Sequence, residues 1–308
     1  MPDAPIAPTD ARDEALDAER PALVGLAYRM LGTVADAEDA VQEGFARWYR
    51  MPPADRDSVD RPGAWLMRTV GRICLDQLGS ARRRHEHYVG EWLPEPLPTA
   101  DAARFAVRAA DDPLDRAMLD ESVSTALLVV LESLTPAERV AFVLHEVFAM
   151  PFAEIAEVVG RTSAACRQLA ASARRHVRER RAGVVSRERH DEVVRAFVAA
   201  AGTGRLESLL SLLDPDVVLH SDGGGFVSAT RRPVLGPDRV ARFIAGTLTQ
   251  RGPALEWSLH ETADGLTLAF GEDGIVDTVA VIEVRGDAIT NAWVMRNPEK
   301  LGRWNAPA

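Results

Sequence analysis

Apolar positions follow two rhythms along this chain. Up to about Arg181 they recur every three or four residues, the period of a helix with one buried face, and beyond Arg187 much of the chain alternates with the period of a strand. Leu23, Leu26, Ala27, Met30 and Leu31 form the first helical stripe. After a break at Gly32-Thr33, a second stripe runs through Val34, Ala37, Val41, Phe45 and Trp48, with Asp36, Asp39, Glu43, Arg47 and Arg50 on the opposite side. Pro52-Pro53 ends it, and a polar loop over residues 55–61 leads to a third helix over 63–84. Residues 20–84 therefore read as an all-α bundle, preceded by an acidic Pro/Ala-rich arm over 1–19 that is expected to be flexible.

Residues 85–115 are acidic, weakly periodic and interrupted by Pro94, Pro96, Pro98 and Pro113, which predicts a linker. A second helical block follows over 116–182. Thr135-Pro136-Ala137-Glu138 is a capping box with proline at the first helical position, a specific helix start. Val140, Val143, Leu144, Val147 and Phe148 continue it as a buried stripe. Phe152, Ile155, Ala156 and Val159 make a short helix stopped by Gly160. Thr162 or Ser163 then caps a third, with Cys166, Leu169, Ala170, Ala173 and Val177 facing inward.

From residue 188 to 308 the pattern is mixed. Helices over 193–201 and 206–213 precede a strand at 217–221, a Gly-rich turn at 222–225 and a helix opening at Pro237. Strands near 255–259, 266–270, 276–284 and 289–295 follow, separated by Asp-Gly and Gly-Asp turns. Helices followed by a meander predict an α+β domain whose curved sheet encloses a core or a pocket.

Composition narrows the function classes. At 308 residues, 46% hydrophobic and 27% charged, the chain fits two or three globular domains. No apolar run approaches the ~18 residues of a membrane span, and the acidic N-terminus lacks a secretory signal, so a cytoplasmic location is expected. Two cysteines, Cys74 and Cys166, are far apart and lack ligand spacing, so neither metal nor cofactor is expected. The net charge of −10 conceals an uneven distribution: seven arginines, one His and one Glu lie between residues 161 and 181, whereas 86–121 carries nine acids against three arginines. Local patches, not the average, set phosphate affinity.

Two constellations use that charge. The short helix, Gly160 turn and basic helix over 152–181 have helix-turn-helix order. Arg167 and Gln168 are placed to reach base edges, and Arg174, Arg175 and Arg178 to anchor phosphates. In the first block Trp65, Arg68, Thr69 and Arg72 share a helix face, an aromatic among arginines that suits unpaired bases and their backbone.

The order of these parts carries a resemblance. LVGLAYRMLGTVADAEDAVQEGFARWY, continuing through PGAWLMRTVGRICLDQLGSARRR, resembles region 2 of the extracytoplasmic-function (ECF) sigma factors of bacterial RNA polymerase. LESLTPAERVAFVLHEVFAMPFAEIAEVVGRTSAACRQLAASARRHV resembles their region 4. YVGEWLPEPL (88–97), DGGGFVSA (222–229) and NPEKL (297–301) are similar to motifs of the SigJ-like subgroup, which carries a C-terminal SnoaL-like domain. Phe226 stands where that subgroup usually has Lys, and Glu299 where it has Asp.

The resemblance implies a multidomain protein: two all-α sigma domains, the second a helix-turn-helix, and an α+β SnoaL/NTF2-like cone. It implies that Asp39, Gln42 and Glu43 dock on the β′ clamp of core polymerase, with the β flap as a further contact. Arg61, Trp65, Arg68 and Arg72 would engage the promoter −10 element, and Ser163, Arg167, Gln168, Arg174 and Arg175 the −35 element. Asp222, Gly223, Gly224, Gly225, Asn297, Pro298, Glu299, Lys300 and Leu301 would contact the sigma domains and hold them in a compact, inactive arrangement. The acidic linker would follow the RNA-exit path.

The C-terminal domain leaves chemistry open. His220 and Asp222 lie on one strand face, the pairing an acid–base site would need, with Trp257, His260 and Trp293 elsewhere in the sheet. Strand alternation sets His260 opposite Leu255, Trp257 and Leu259, outside an apolar cavity. The main expectation is a non-catalytic regulatory domain, with a small ligand possible. Two alternatives stand beside the sigma reading: a ligand-responsive helix-turn-helix repressor, and a sigma-like protein fused to an isomerase-like enzyme. The first offers no role for the Asp39 face or the Trp65 helix.

Overall fold

The computed structural model describes residues 16–85, 88–105, 123–202 and 205–306, with 80–85 described by their backbone alone. Helix α1 (Arg20–Leu31) takes Pro21 in its first turn and buries Leu23, Leu26, Ala27 and Met30. Leu16, only 4% exposed, joins the same core, so the compact part begins inside the segment expected as a free arm. Residues 1–15 of that arm lie outside the described residues.

Gly32 closes α1 in the left-handed region at φ +81°, its N–H bonded to Tyr28 O. Thr33 then accepts from Asp36 N to cap α2 (Val34–Arg50). The turn also seats Trp92, because a Cβ on Gly32 would lie 2.4 Å from its indole. Gly32→Ala is expected to cost at least the ~1–2 kcal/mol of a left-handed alanine and to displace Trp92. A denaturation midpoint equal to that of the unaltered chain would contradict this.

Residues 55–61, expected as loop, are partly helical. Pro53 presets the first turn of α3 (Pro53–Asp57), and α4 (Pro62–His85) follows. The predicted linker is an ordered strap where it is described. Its prolines exclude helix over 91–98, while Leu93, Glu95 and Leu97 are buried. A short helix, α5 (Thr99–Arg104), ends this part, and residues 106–122, which contain the expected 115/116 boundary, lie outside the described residues.

The second helical block comprises α6 (Thr125–Glu132), α7 (Pro136–Phe142), α8 (Phe152–Val159) and α9 (Ser163–Arg180). Thr135 and Glu138 form the capping box in both directions. The stripe read as continuing to Phe148 instead widens into a π turn over Val143–Val147, so Val147 and Phe148 are only half-buried. Gly160 ends α8 at φ +69°, and Thr162 caps α9 by accepting from Ala165 N.

The two helical blocks share one continuous hydrophobic core. Leu26, Met30, Leu66 and Val70 of the first belong to the same cluster as Val140, Leu144, Ile155 and Cys166 of the second. Arg139 of α7, 3% exposed, crosses the junction to donate to Met30 O at 2.8 Å. Gly71 of α4 lies at this junction, where a Cβ would make ordinary contact with Val158 Cγ1 at 3.4 Å and Leu144 Cδ1 at 3.6 Å.

The C-terminal domain places α10 (Arg187–Gly202), α11 (Leu206–Leu210) and α12 (Pro237–Arg251) on a six-stranded mixed sheet. Its order is β2-β1-β6-β5-β4-β3, for β1 (Leu213–Asp222), β2 (Val234–Leu235), β3 (Glu256–Thr262), β4 (Gly265–Glu272), β5 (Ile275–Arg285) and β6 (Ala288–Met295). Only β1 and β6 run parallel. The helix expected through residue 213 stops at Leu210, and the two-residue β2 has no counterpart in the sequence reading.

Strand alternation divides the sheet into two apolar faces. Val217, Leu219, Leu268, Ile282 and Ala292 face the domain's own helices. Val279, Val281, Trp293 and Met295 face the other way, against Leu93 of the strap and Ala126 and Val129 of α6. The sheet thus rests on the helical part of the chain through its second face. Leu93, Pro94, Pro96, Thr125 and the facing sheet residues meet there without a water-sized space.

Candidate nucleic-acid and partner interfaces

The helix-turn-helix face is open. Thr162 starts α9, and its apolar positions Cys166, Ala170 and Ala173 are buried, which turns Arg167, Gln168, Arg174 and Arg175 outward. Arg167 stacks over the Phe152 ring at 5.6 Å, and Ser163 is half-buried at the helix start. Arg174 pairs with Glu146, and that hydrogen bond raises its pKa above the ordinary guanidinium value. The remaining arginines leave a cationic surface of the kind phosphates bind.

The α4 face is covered. Trp65 packs against Trp48 with ring centroids 5.3 Å apart and lies half-buried at the core edge. Arg68 donates to Glu154 at 3.0 Å and approaches Glu157 at 3.6 Å, while Arg72 donates to the Glu157 carbonyl. Arg61, 78% exposed, lies 3.9 Å from Glu154. In this arrangement α8 lies across that face, because Ile155 and Val158 bury against the shared core and carry Glu154 and Glu157 to its rim.

The acidic face of α2 is accessible. Asp39 and Gln42 are exposed; Glu43 bonds Arg47 at 2.9 Å, which holds its carboxyl below the usual range. Next to this face, Glu38 receives Arg303 from the C-terminal domain at 2.8 Å.

The DGGG and NPEKL segments meet the strap, and the cluster that holds Leu301 also packs against Ala126 and Val129 of α6. Asp222, fully buried, accepts from Tyr88 Oη at 2.7 Å, Leu93 N at 3.0 Å, Gly224 N at 2.9 Å and Lys300 Nζ at 2.8 Å. Lys300 also donates to Leu93 O at 2.6 Å, with its ammonium 4.2 Å from the Trp92 ring. Burial pulls the Lys300 ammonium below its ordinary pKa, and Asp222 opposes that shift. Burial and the Asp222 bond push the Tyr88 phenol up. Asn297 donates to Tyr88 Oη, Gly225 lies beneath Val89, and Leu301 is buried in the strap-facing cluster.

Three of the expected contacts behave differently. Pro298 and Glu299 are exposed, because this tight 3-10 turn points them to solvent while burying Lys300. Gly223 contacts its own loop, where a Cβ would lie 2.5 Å from Val227 O. Phe226 is 61% exposed.

Several junction residues were missed in the sequence reading. Glu95 accepts from Val34 N at 2.8 Å, tying the strap to the start of α2; burial raises its pKa. Asp264, in the β3–β4 turn, accepts from Thr125 N and Ala126 N at 2.8 and 3.0 Å, capping α6 from another domain; burial raises its pKa too. Arg303 joins Glu38 to Asp101, and Trp304 Nε1 donates to Pro96 O at 2.8 Å. Only the apolar-proline alternation of WLPEPL signalled such contacts in the sequence.

The acid–base candidates do not converge. His220 and Asp222 alternate away from the helix-covered interior; His220 meets Glu91 at 3.0 Å, and Asp222 is occupied as above. Trp293 also faces the strap side, Trp257 is 53% exposed, and exposed His260 lies edge-on to Trp304. Among the described residues no three His, Cys, Asp or Glu side chains gather as a metal site, and no helix is long and apolar enough to cross a membrane.

Comparison with known proteins supplies the family context. The Sigma-70 region 2 family matches residues 16–84, and the Sigma-70, region 4 family matches 124–177. The chain is 40% identical over 297 residues to the ECF RNA polymerase sigma factor SigJ of Mycobacterium tuberculosis, covering 92% of this chain and 91% of that protein. It is 42% identical over 228 residues to the probable ECF RNA polymerase sigma factor SigI of the same species, covering 74% and 73%. The crystal structure of M. tuberculosis SigJ matches with a TM-score of 0.69 at 38% identity, covering 94% of this chain and 98% of that one.

Proposed function

Because the chain belongs to the ECF sigma factors of bacterial RNA polymerase, we propose that the described form is the closed, waiting state of a sigma factor restrained by its own C-terminal domain. In this reading Asp39, Gln42 and Glu43 dock on the β′ clamp of core polymerase, with the β flap near region 4. Ser163, Arg167, Gln168, Arg174 and Arg175 engage the −35 element. Arg61, Trp65, Arg68 and Arg72 engage the −10 element once α8 has left α4. Flipping a base from the stack costs a few kcal/mol, which stacking and a pocket offset. The protein contributes binding energy and catalyses no step of its own. It would act in the cytoplasm, where polymerase and promoter are.

The observation that carries this reading is the unequal exposure of the two DNA-binding faces. On α9, Arg167, Gln168, Arg174 and Arg175 are exposed and Arg174 alone of these is paired, with Glu146, whereas on α4 Arg68 is occupied by Glu154 and Trp65 packs on Trp48. The C-terminal domain supports the restraint by gripping the strap at Asp222 and Lys300, the start of α6 at Asp264, and α2 at Glu38. Removing it would free all three grips together.

In-vitro transcription with core polymerase, on promoters from the gene's own upstream region, tests the assignment. The full chain should support initiation. Asp39→Ala/Glu43→Ala should weaken core binding, and Arg167→Ala/Gln168→Ala should lose initiation while core binding persists. Tight operator binding without polymerase, and no initiation with it, would instead favour the repressor.

A further inference from the structure

We infer that Glu154 and Glu157 act as a built-in substitute for DNA phosphates, so that the first helix of the helix-turn-helix competes directly with promoter DNA for α4. The inference rests on the sigma reading above and adds a competitor to it.

The geometry is specific to the side chains that would hold the −10 strand. Glu154 and Glu157 are three residues apart and share one face of α8. Arg68 gives its Nη1 to Glu154 at 3.0 Å and turns its Nε toward Glu157 at 3.6 Å, while Arg61 stands 3.9 Å from Glu154. Arg72 takes the Glu157 carbonyl. A guanidinium's planar fork of N–H groups donates to carboxylate or phosphate oxygens alike, so each acid occupies donors a phosphate would use.

Position adds a second effect. Behind the acids, Val158 and Leu144 close on Gly71, so a strand reaches Arg68 only after α8 has moved. While α8 is in place, its two carboxylates also repel an approaching phosphate backbone. Arg68 is 30% and Glu154 22% exposed at the side chain, so the pairs sit at the rim of the dry contact, where solvent and salt still reach them. Promoter DNA and the closed state therefore compete for one set of arginines, and DNA binding by the −10 face is itself an opening force.

The test uses the full chain without polymerase and a fluorescent single-stranded oligonucleotide, taken from the non-template strand of a promoter that its holoenzyme transcribes. Glu154→Gln/Glu157→Gln keeps size and hydrogen bonding but removes both charges. It is expected to bind the oligonucleotide about tenfold tighter or more, the equivalent of losing one charge-assisted hydrogen bond from the competitor. Glu192→Gln, which removes an acid paired with Arg189 on α10 of the C-terminal domain, is the control and should leave this binding unchanged. Thermal unfolding establishes that both variants are folded. Equal affinity of the double variant and the unaltered chain, or an equal gain from Glu192→Gln, overturns the inference. Initiation by the unaltered chain with core polymerase keeps the sigma reading in place in that case. Absence of initiation would remove both together.

Discussion

Replacing Lys300 with methionine is expected to lower the free energy of unfolding by about 3–5 kcal/mol, the usual result of removing one partner from a buried ion pair. Lys300 and Asp222 have side chains 7% and 0% exposed, and their 2.8 Å bond lies beneath Tyr88 and Trp92. Methionine fills much of the space but leaves the Asp222 carboxylate buried with only Tyr88 Oη, Leu93 N and Gly224 N as donors. The strap also loses the Lys300 bond to Leu93 O. Chymotrypsin should then cleave after Tyr88 or Trp92 faster than in the unaltered chain, and the denaturation midpoint should fall. Adding Asp222→Asn should restore part of the loss, because a neutral pair is cheaper to bury than a lone charge. Unchanged protection and midpoint in Lys300→Met would show that the strap is held by its apolar contacts alone.

Gly71→Leu is expected to separate the two helical blocks. An added Cβ would sit 3.4 Å from Val158 Cγ1 and 3.6 Å from Leu144 Cδ1, ordinary contact that alanine satisfies. The further carbons of leucine would enter space those side chains fill, an overpacking cost of roughly 1–3 kcal/mol. That strain acts where α8 meets α4, so it is relieved by opening, and the radius of gyration from solution scattering should rise. Gly71→Ala should leave the radius unchanged and gain up to about 1 kcal/mol, since glycine is a poor residue for a helix interior. Equal radii for the leucine and alanine variants would mean that the contact yields without parting the blocks.

Much of the local structure was legible in the sequence. The stripe from Val34 to Trp48, the capping box at Thr135–Glu138 and the stop at Gly160 each depend on residues within a turn or two of one another, and the structure reproduces them. The sheet strands were legible because short alternating or apolar segments lie between Asp-Gly and Gly-Asp turns; Val279 to Val284 is such an apolar run, buried on both faces. The π turn at Val143–Val147 was not, since one extra residue in a turn leaves the apolar spacing nearly unchanged. Nor was α3, where prolines read as a stop also preset a helical start.

By itself the sequence determined most of the helices and strands, the outward arginines of α9, the acidic face of α2 and the motifs that mark the family, because caps and periodicity act over a few residues. Tertiary packing decided which of those surfaces remain available. Arg68 finds Glu154 eighty-six positions away, and Lys300 finds Asp222 across seventy-eight. A charged residue on a helix face has the same local pattern whether water, DNA or another helix lies opposite. Only the burial of Val158 and Leu144 against Gly71, and of Leu93 against Trp293 and Met295, brings these partners together.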